Sequence, residues 1–132
     1  AFYLFIYYVI YTTWQYTVVM IYYIWGEEVD TQFKKGVLEL LVLLFTTKCD
    51  RYGYELVEEV SKVVNVNEGT IYPLLKRLTN EGYFETYLKE STGGPSRKYY
   101  KLTVLGEKRK DMLLQEWKKF ESSVNKFIKE SE

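Results

Sequence analysis

The sequence contains no histidine, and this absence excludes several classes of protein. Histidine is the commonest general base in enzymes, a usual zinc ligand and the side chain whose charge changes near neutral pH. Cys49 is the single cysteine, which excludes an intrachain disulfide and a cysteine-based zinc cluster. The sequence also has no recognisable nucleophile–base pair or phosphate-binding loop. It therefore predicts a protein that is not an enzyme, needs no cofactor or metal, and resides in the reducing cytoplasm.

Net charge is also absent, although the charges are unevenly distributed. Eighteen basic and 18 acidic residues cancel over the 132 residues. Between Lys76 and Lys110, however, there are nine basic and four acidic residues. A local basic excess of this kind is attracted to a phosphate backbone. Because a solvated surface can show the same excess, charge alone does not identify a nucleic-acid-binding protein.

Residues 1 to 25 contain no charged residue, no glycine and no proline, and they hold 11 of the 24 aromatic residues. A stretch of this length could cross a bilayer. Its tyrosines are spread along the whole stretch, however, whereas the aromatic residues of a membrane span cluster at its two ends. We therefore expect residues 1–28 to be a translated leader or vector-derived sequence, with Val29 as a possible start. A membrane anchor and an additional structural element are the alternatives.

From residue 31 onward, apolar residues recur at helical spacing in three successive segments. Gln32 to Phe45 is apolar on most sides, which predicts a buried central helix. Tyr52-Gly53-Tyr54-Glu55-Leu56 opens an amphipathic second helix. Asn67 is the predicted N-cap of a third helix. The predicted inward face of that third helix comprises Ile71, Leu74, Leu75 and Leu78.

The second half of the chain predicts a hairpin followed by a long helix. Two β-prone runs, Tyr83 to Glu90 and Arg97 to Thr103, flank the turn-forming cluster Ser91 to Ser96, which predicts a hairpin with a flexible tip. From Leu105 the chain becomes strongly charged and helical. Five apolar residues recur there at steps of 4, 3, 4 and 3, a spacing typical of a dimerisation seam. They are Leu113, Trp117, Phe120, Val124 and Phe127.

Three short helices followed by a hairpin are typical of a winged helix-turn-helix, in which the third helix enters the major groove and the hairpin contacts the flanking backbone. We therefore expect a mostly helical α+β fold, with a DNA-binding winged helix-turn-helix at 31–104 and a dimerisation helix at 105–130. Lys76 and Arg77 fall on the exposed side of the third helix, and Arg97 and Lys98 are predicted at the hairpin tip. The alternatives are a winged-helix module that binds protein without a DNA role, and a membrane-tethered sensor.

Several motifs, in the same order and at the same separations, resemble those of the PadR family of bacterial repressors. They are Tyr52 to Leu56, Asn67 to Leu78, Glu81-Gly82-Tyr83 and Gly93 to Thr103. The resemblance covers about residues 31 to 128. It implies a repressor that binds double-stranded operator DNA, at an inverted repeat, as a homodimer. The DNA-contacting residues that it implies are Tyr52, Tyr54, Thr70, Tyr72, Lys76, Arg77, Arg97 and Lys98.

The resemblance also implies a role for Trp117. Short members of the family have a single C-terminal helix, as this chain does, and they include drug-responsive regulators. In those proteins, paired tryptophans from this helix hold flat aromatic compounds at the dimer interface. Trp117 is thus a candidate ligand-binding residue for a planar aromatic effector. The alternative is that Trp117 packs in a closed dimer seam. Tyr52 and Tyr54 likewise have the alternative of simple packing at a helix start.

Overall fold

The structure is a computed structural model that describes the backbone along the chain and the side chains of residues 1–6, 10–17, 20 and 35–132. It contains two units, Ala1–Lys35 and Gly36–Glu132. The first helix, α1, spans Phe2–Phe45, so residues of both units are helical. The division predicted from the sequence at 1–28, 31–104 and 105–130 stays a prediction.

The first unit carries exposed apolar side chains wherever its side chains are described. Phe2, Trp14 and Met20 are examples. Much of the predicted leader, including residues 7–9, 18, 19 and 21–28, lies outside the residues whose side chains are described. Within the described part of the chain, no helix combines the length and the apolar character needed to cross a membrane. The origin predicted for residues 1–28 stays a prediction.

The second unit builds its core from the apolar faces of its helices. The second helix, α2, spans Gly53–Val63, and the third, α3, spans Glu68–Asn80. Asn67 occupies the predicted N-cap position of α3, where its carbonyl accepts a hydrogen bond from the Thr70 amide at 3.1 Å. Each fully buried leucine, isoleucine or valine side chain contributes roughly 1.5–3 kcal/mol to the stability of this core. The fully buried side chains include Leu38, Val42, Leu43, Leu56, Val60, Ile71, Leu75 and Leu78, whereas Leu74 is half-buried.

A three-stranded antiparallel sheet completes this core. Its strands are β1 (Arg51–Tyr52), β2 (Phe84–Ser91) and β3 (Gly94–Leu102), in the order β1-β3-β2. The sequence predicted β2 and β3 but not β1, because two residues are too short to show an alternating pattern. Phe84 and Tyr100 are buried on the inner face, where their rings meet edge to face at 5.6 Å.

The hairpin tip is tighter than the sequence predicts. The strands continue to Ser91 and Gly94, so only Thr92 and Gly93 form the turn. Gly93 has a φ of 79°, in the left-handed region that favours glycine. The Ser91 hydroxyl donates a hydrogen bond to the Pro95 carbonyl at 2.8 Å, which ties the two arms together. As a correction to the predicted placement, Arg97 and Lys98 lie within β3, opposite Lys89 and Leu88, and not at the tip.

The last helix, α4, spans Val104–Ser131 and begins on a tightly packed corner. Its N-cap, Thr103, accepts a hydrogen bond from the Gly106 amide at 3.0 Å and donates one to the Gly82 carbonyl at 2.6 Å. Gly106 is buried, and a Cβ at this position would lie 2.3 Å from the Tyr83 carbonyl oxygen. Since real Cβ atoms do not approach backbone so closely, glycine is required where α4 meets the end of α3.

Candidate nucleic-acid interface

A groove of about 790 Å³ lies between the start of α2, the exposed side of α3 and the hairpin. We call it the wing groove. Tyr72 is its lining residue from α3, and the remainder comes from residues 52–54, 91–98 and 100. Of the eight residues predicted to contact DNA, the groove brings together five: Tyr52, Tyr54, Tyr72, Arg97 and Lys98.

Tyr72 enters the groove because α2 begins with a glycine beside it. A Cβ on Gly53 would lie 2.9 Å from the Tyr72 ring, so Gly53 leaves room for this ring at the start of α2. Burial, together with the nearby Glu68 carboxylate and Tyr54, raises the pKa of Tyr72 above its ordinary value. The hydroxyl of Tyr72 therefore stays protonated at neutral pH and can donate a hydrogen bond to a phosphate or base acceptor.

Arg97 is held at the groove by an aromatic ring. The carbon at the centre of its guanidinium lies 4.6 Å from the centre of the Tyr52 ring. This distance is typical of a cation–π interaction. Lys98, on the opposite face of β3, has its Nζ 5.8 Å from the Tyr100 ring. Both side chains are exposed, and they add two positive charges to the groove.

Tyr52 belongs to a row of three rings, one from each strand, which we call the tyrosine ladder. The Tyr52 and Tyr99 rings are 5.7 Å apart, and Tyr99 stacks on Tyr87 at 5.4 Å with an interplanar angle of 10°. The Tyr87 hydroxyl donates a 2.7 Å hydrogen bond to Asp50, which raises the pKa of Tyr87. The ladder therefore fastens the hairpin to the loop before β1 and supports the ring beneath Arg97.

Two of the remaining predicted contacts lie on α3 outside the groove. Lys76 is exposed, and it lies one helical turn beyond Tyr72 on the same side of α3. Thr70 is half-buried, and its hydroxyl oxygen is 3.5 Å from the Asn67 amide oxygen. Tyr72 and Lys76 together give α3 an exposed polar and basic stripe beside the groove.

Arg77 differs from the other predicted contacts. Its guanidinium makes a 2.9 Å ion pair with Glu39 of α1 and 3.1 Å contacts with both carboxylate oxygens of Glu81. These partners bind the charged end of Arg77 within the protein. The DNA contact predicted for Arg77 stays a prediction, whereas Glu39 and Glu81 give it intramolecular contacts that the sequence did not indicate.

The predicted dimerisation residues lie along one helix, with burial decreasing toward its end. Leu113 packs against the core and Trp117 is half-buried, with its ring 6.3 Å from that of Phe120. Phe120, Val124 and Phe127 are exposed, Phe127 to 70%. Four of the five predicted residues thus lie beyond the packed base of α4.

The model of the transcriptional regulator PadR-like family matches residues 40–111, more than half of the chain. The chain belongs to the PadR-like family. The matched region contains the wing groove, α3 and the start of α4. Because the family consists of transcriptional regulators, this assignment confirms the predicted winged-helix fold and the prediction of a regulator in place of an enzyme.

Relatives of this PadR-like protein match more than half of the chain. An uncharacterised protein from Lysinibacillus sphaericus is 32% identical over 98 residues, covering 71% of this chain and 90% of that protein. A PadR-like transcriptional regulator from Bacillus cereus is 39% identical with a TM-score of 0.67, covering 74% of this chain and 96% of that one. Bacillus subtilis PadR, solved in complex with operator DNA, is 28% identical with a TM-score of 0.53, covering 59% of this chain and 46% of that one.

Proposed function

We propose that this PadR-like protein represses transcription by binding double-stranded operator DNA with α3 and the wing groove. The observation that carries the proposal is the convergence of Tyr72, Arg97 and Lys98 on one groove beside the exposed side of α3. A winged helix-turn-helix places its recognition helix in the major groove and its hairpin on the flanking backbone. The operator complex of the Bacillus subtilis relative supports the same use of the fold here. Such a role places the protein in the cytoplasm, with the DNA.

The proposal extends to a homodimer formed by α4. Phe120, Val124 and Phe127 recur at heptad-like spacing and are exposed in a single copy, so pairing two copies would remove their apolar surface from water. A twofold dimer presents two copies of α3 about 34 Å apart, one turn of DNA, and reads an inverted repeat. Occupancy of a promoter by this dimer would exclude polymerase.

Selection from a pool of random duplexes tests the DNA-binding role directly. The expected result is enrichment of an inverted repeat whose half-site centres are separated by about one helical turn. Binding should weaken steeply as salt increases, because counterions are released from the phosphates. A chain that enriches no duplex under these conditions, but retains a protein on an affinity column, would instead be the protein-interaction module.

A planar aromatic effector is the finer part of the proposal. Trp117 is half-buried beside Phe120, and in a twofold dimer it can face its own symmetry mate, which leaves a flat apolar slot between the two indoles. The variant Trp14→Phe with Trp25→Phe makes Trp117 the only indole of the full chain. Planar aromatic compounds should then quench its fluorescence and release the operator. If a broad panel does neither, Trp117 packs in a closed dimer seam.

A further inference from the structure

Glu39 of α1 is an acidic residue within the packed part of the second unit, and its side chain is only 9% exposed. A buried carboxylate is strongly unfavourable unless it is paired and hydrogen-bonded. Each of its oxygens has its own arginine: Oε2 lies 2.9 Å from Arg77 Nη2, and Oε1 lies 2.8 Å from Arg109 Nε. Burial raises the pKa of Glu39, but the hydrogen bonds and charges of Arg109 and Arg77 outweigh burial and hold it below its ordinary value. The group is therefore an ionised bridge.

The two arginines belong to helices with different proposed tasks. Arg77 lies near the end of α3, the proposed recognition helix, and Arg109 lies in the second turn of α4, the proposed dimerisation helix. The other neighbours of these arginines are also at this junction, since Arg77 contacts Glu81 and Arg109 lies 5.9 Å from the Tyr83 ring. We call Glu39, Arg77 and Arg109 the carboxylate clamp. It links α3 to α4 through a residue of α1.

The clamp is one of three attachments that fix the direction of α4, and Leu113, which packs against the core, is another. The third is the corner at Thr103 and Gly106, which is fastened to Gly82 and Tyr83. From Arg109 to Ser131, α4 continues for about 33 Å. A tilt of about 10° at the clamp would therefore move the far end of α4 by about 6 Å at a rise of 1.5 Å per residue. In a dimer formed by α4, such a tilt changes the separation of the two recognition helices.

We propose that Glu39 is a positioning residue that sets the angle between α3 and α4, and thereby the half-site spacing that the dimer accepts. The inference rests on the proposed DNA-binding dimer. It also gives Arg77 a role within the protein, because its guanidinium holds Glu39. Each copy contributes its own clamp, so one substitution alters both halves of the dimer symmetrically.

The test is Glu39→Gln, which keeps the size of the side chain but removes its charge and one of its two acceptors. Affinity should be measured for the selected inverted repeat, for repeats with one or two base pairs added or removed between half-sites, and for a single half-site. We expect the preference for the selected spacing to fall about tenfold, a usual size for coupling between two parts of a protein. Single half-site affinity should stay unchanged, because the DNA-contacting side chains of α3 and the wing groove are unaltered.

The matched control is Glu59→Gln, the same substitution in an ion pair with Lys62 that lies within α2 and links no two elements. It should leave the spacing preference unchanged. If Glu39→Gln does not fold, Arg109→Lys replaces it, since it keeps the positive charge but loses the fixed geometry of the guanidinium. A folded clamp variant that retains the wild-type spacing preference, or that loses full-site and half-site affinity equally, would overturn the inference. A wild-type chain that selects no duplex would instead overturn the proposed function.

Discussion

The wing groove and the outer part of α4 differ in whether their exposed side chains have neighbours within a single copy of the chain. In the groove, two proposed DNA contacts are supported by neighbours of the same chain: Tyr72 lies against Gly53, and Arg97 lies over Tyr52. Along α4, Phe120 and Phe127 present apolar rings to solvent. Polar and basic groups are stable in water until DNA arrives, whereas a row of apolar groups is stabilised only when it is covered. The proposed DNA surface is therefore complete in one copy, whereas the proposed dimer surface requires two.

Phe120→Glu should have the largest effect on operator binding, because it places a charge in the proposed dimer seam of α4. A charge would be buried without compensation at the dimer seam, so we expect a monomer by sedimentation. Loss of two-site binding should weaken affinity for the full operator by about a hundredfold or more. Val104→Glu is the control, since Val104 is an exposed apolar residue of α4 that lies outside the seam. A tight dimer in the Phe120→Glu variant would show that α4 is not the main interface.

Gly106→Ala should destabilise the protein where the start of α4 packs against Tyr83. The added methyl group would lie 2.3 Å from the Tyr83 carbonyl oxygen, so the backbone of α4 or of Tyr83 must shift. We expect a loss of about 2–3 kcal/mol in the free energy of unfolding, as for overpacked interiors. Denaturant unfolding followed by circular dichroism measures the loss. Gly36→Ala should instead stabilise α1 slightly, because among the described residues no atom beyond the adjoining helix backbone lies within 4 Å of the new methyl group. Equal losses in both variants would contradict the proposed crowding.

The sequence predicts the features of the fold that depend on residues close together in the chain, and it does not predict those that depend on distant residues. The four helices and the hairpin were predictable in kind because apolar spacing, the N-cap at Asn67 and the glycines near residue 93 act over a few residues. Strand β1 could not be predicted, since it exists only because Arg51 and Tyr52 pair with residues of β3. Strands β2 and β3 extend to Ser91 and Gly94, so Arg97 and Lys98 lie within β3 and not at the tip. This extension likewise depends on how the two strands pair.

The carboxylate clamp was missed for the same physical reason. Arg77 is 38 residues from Glu39, and Arg109 is 70 residues from it. Sequence periodicity correctly predicted that Arg77 lies on the exposed side of α3, but it gives no information about which distant carboxylate approaches that side. The one available signal was Glu39 itself, a charged residue within the apolar run of α1 that predicts a buried partner. The partner's identity requires the tertiary structure.

Lys76→Ala and Arg97→Ala should weaken operator binding by removing phosphate contacts from the preformed surface. Each lost contact is expected to reduce the slope of log affinity against log salt by about 0.9. Lys48→Ala is the control, because Lys48 is exposed on the loop after α1 and does not line the wing groove. Arg77→Ala should leave the slope unchanged, since its guanidinium is held by Glu39 and Glu81. If the slopes of the Lys76 and Arg97 variants equal that of the wild type, neither residue contacts phosphate.

The smallest expected effect concerns Tyr52, and it distinguishes a contact with DNA from support of a contact. If Tyr52 acts by holding Arg97 over its ring, Tyr52→Phe should bind the operator as the wild type does. Tyr52→Leu should then lose about two- to fivefold in affinity, the size of an exposed cation–π interaction. In a double-mutant cycle, Tyr52→Leu should add little to Arg97→Ala, because the second variant has already removed the supported group. Equal losses for Tyr52→Phe and Tyr52→Leu would mean that the Tyr52 hydroxyl itself contacts phosphate and that its ring is not needed to hold Arg97.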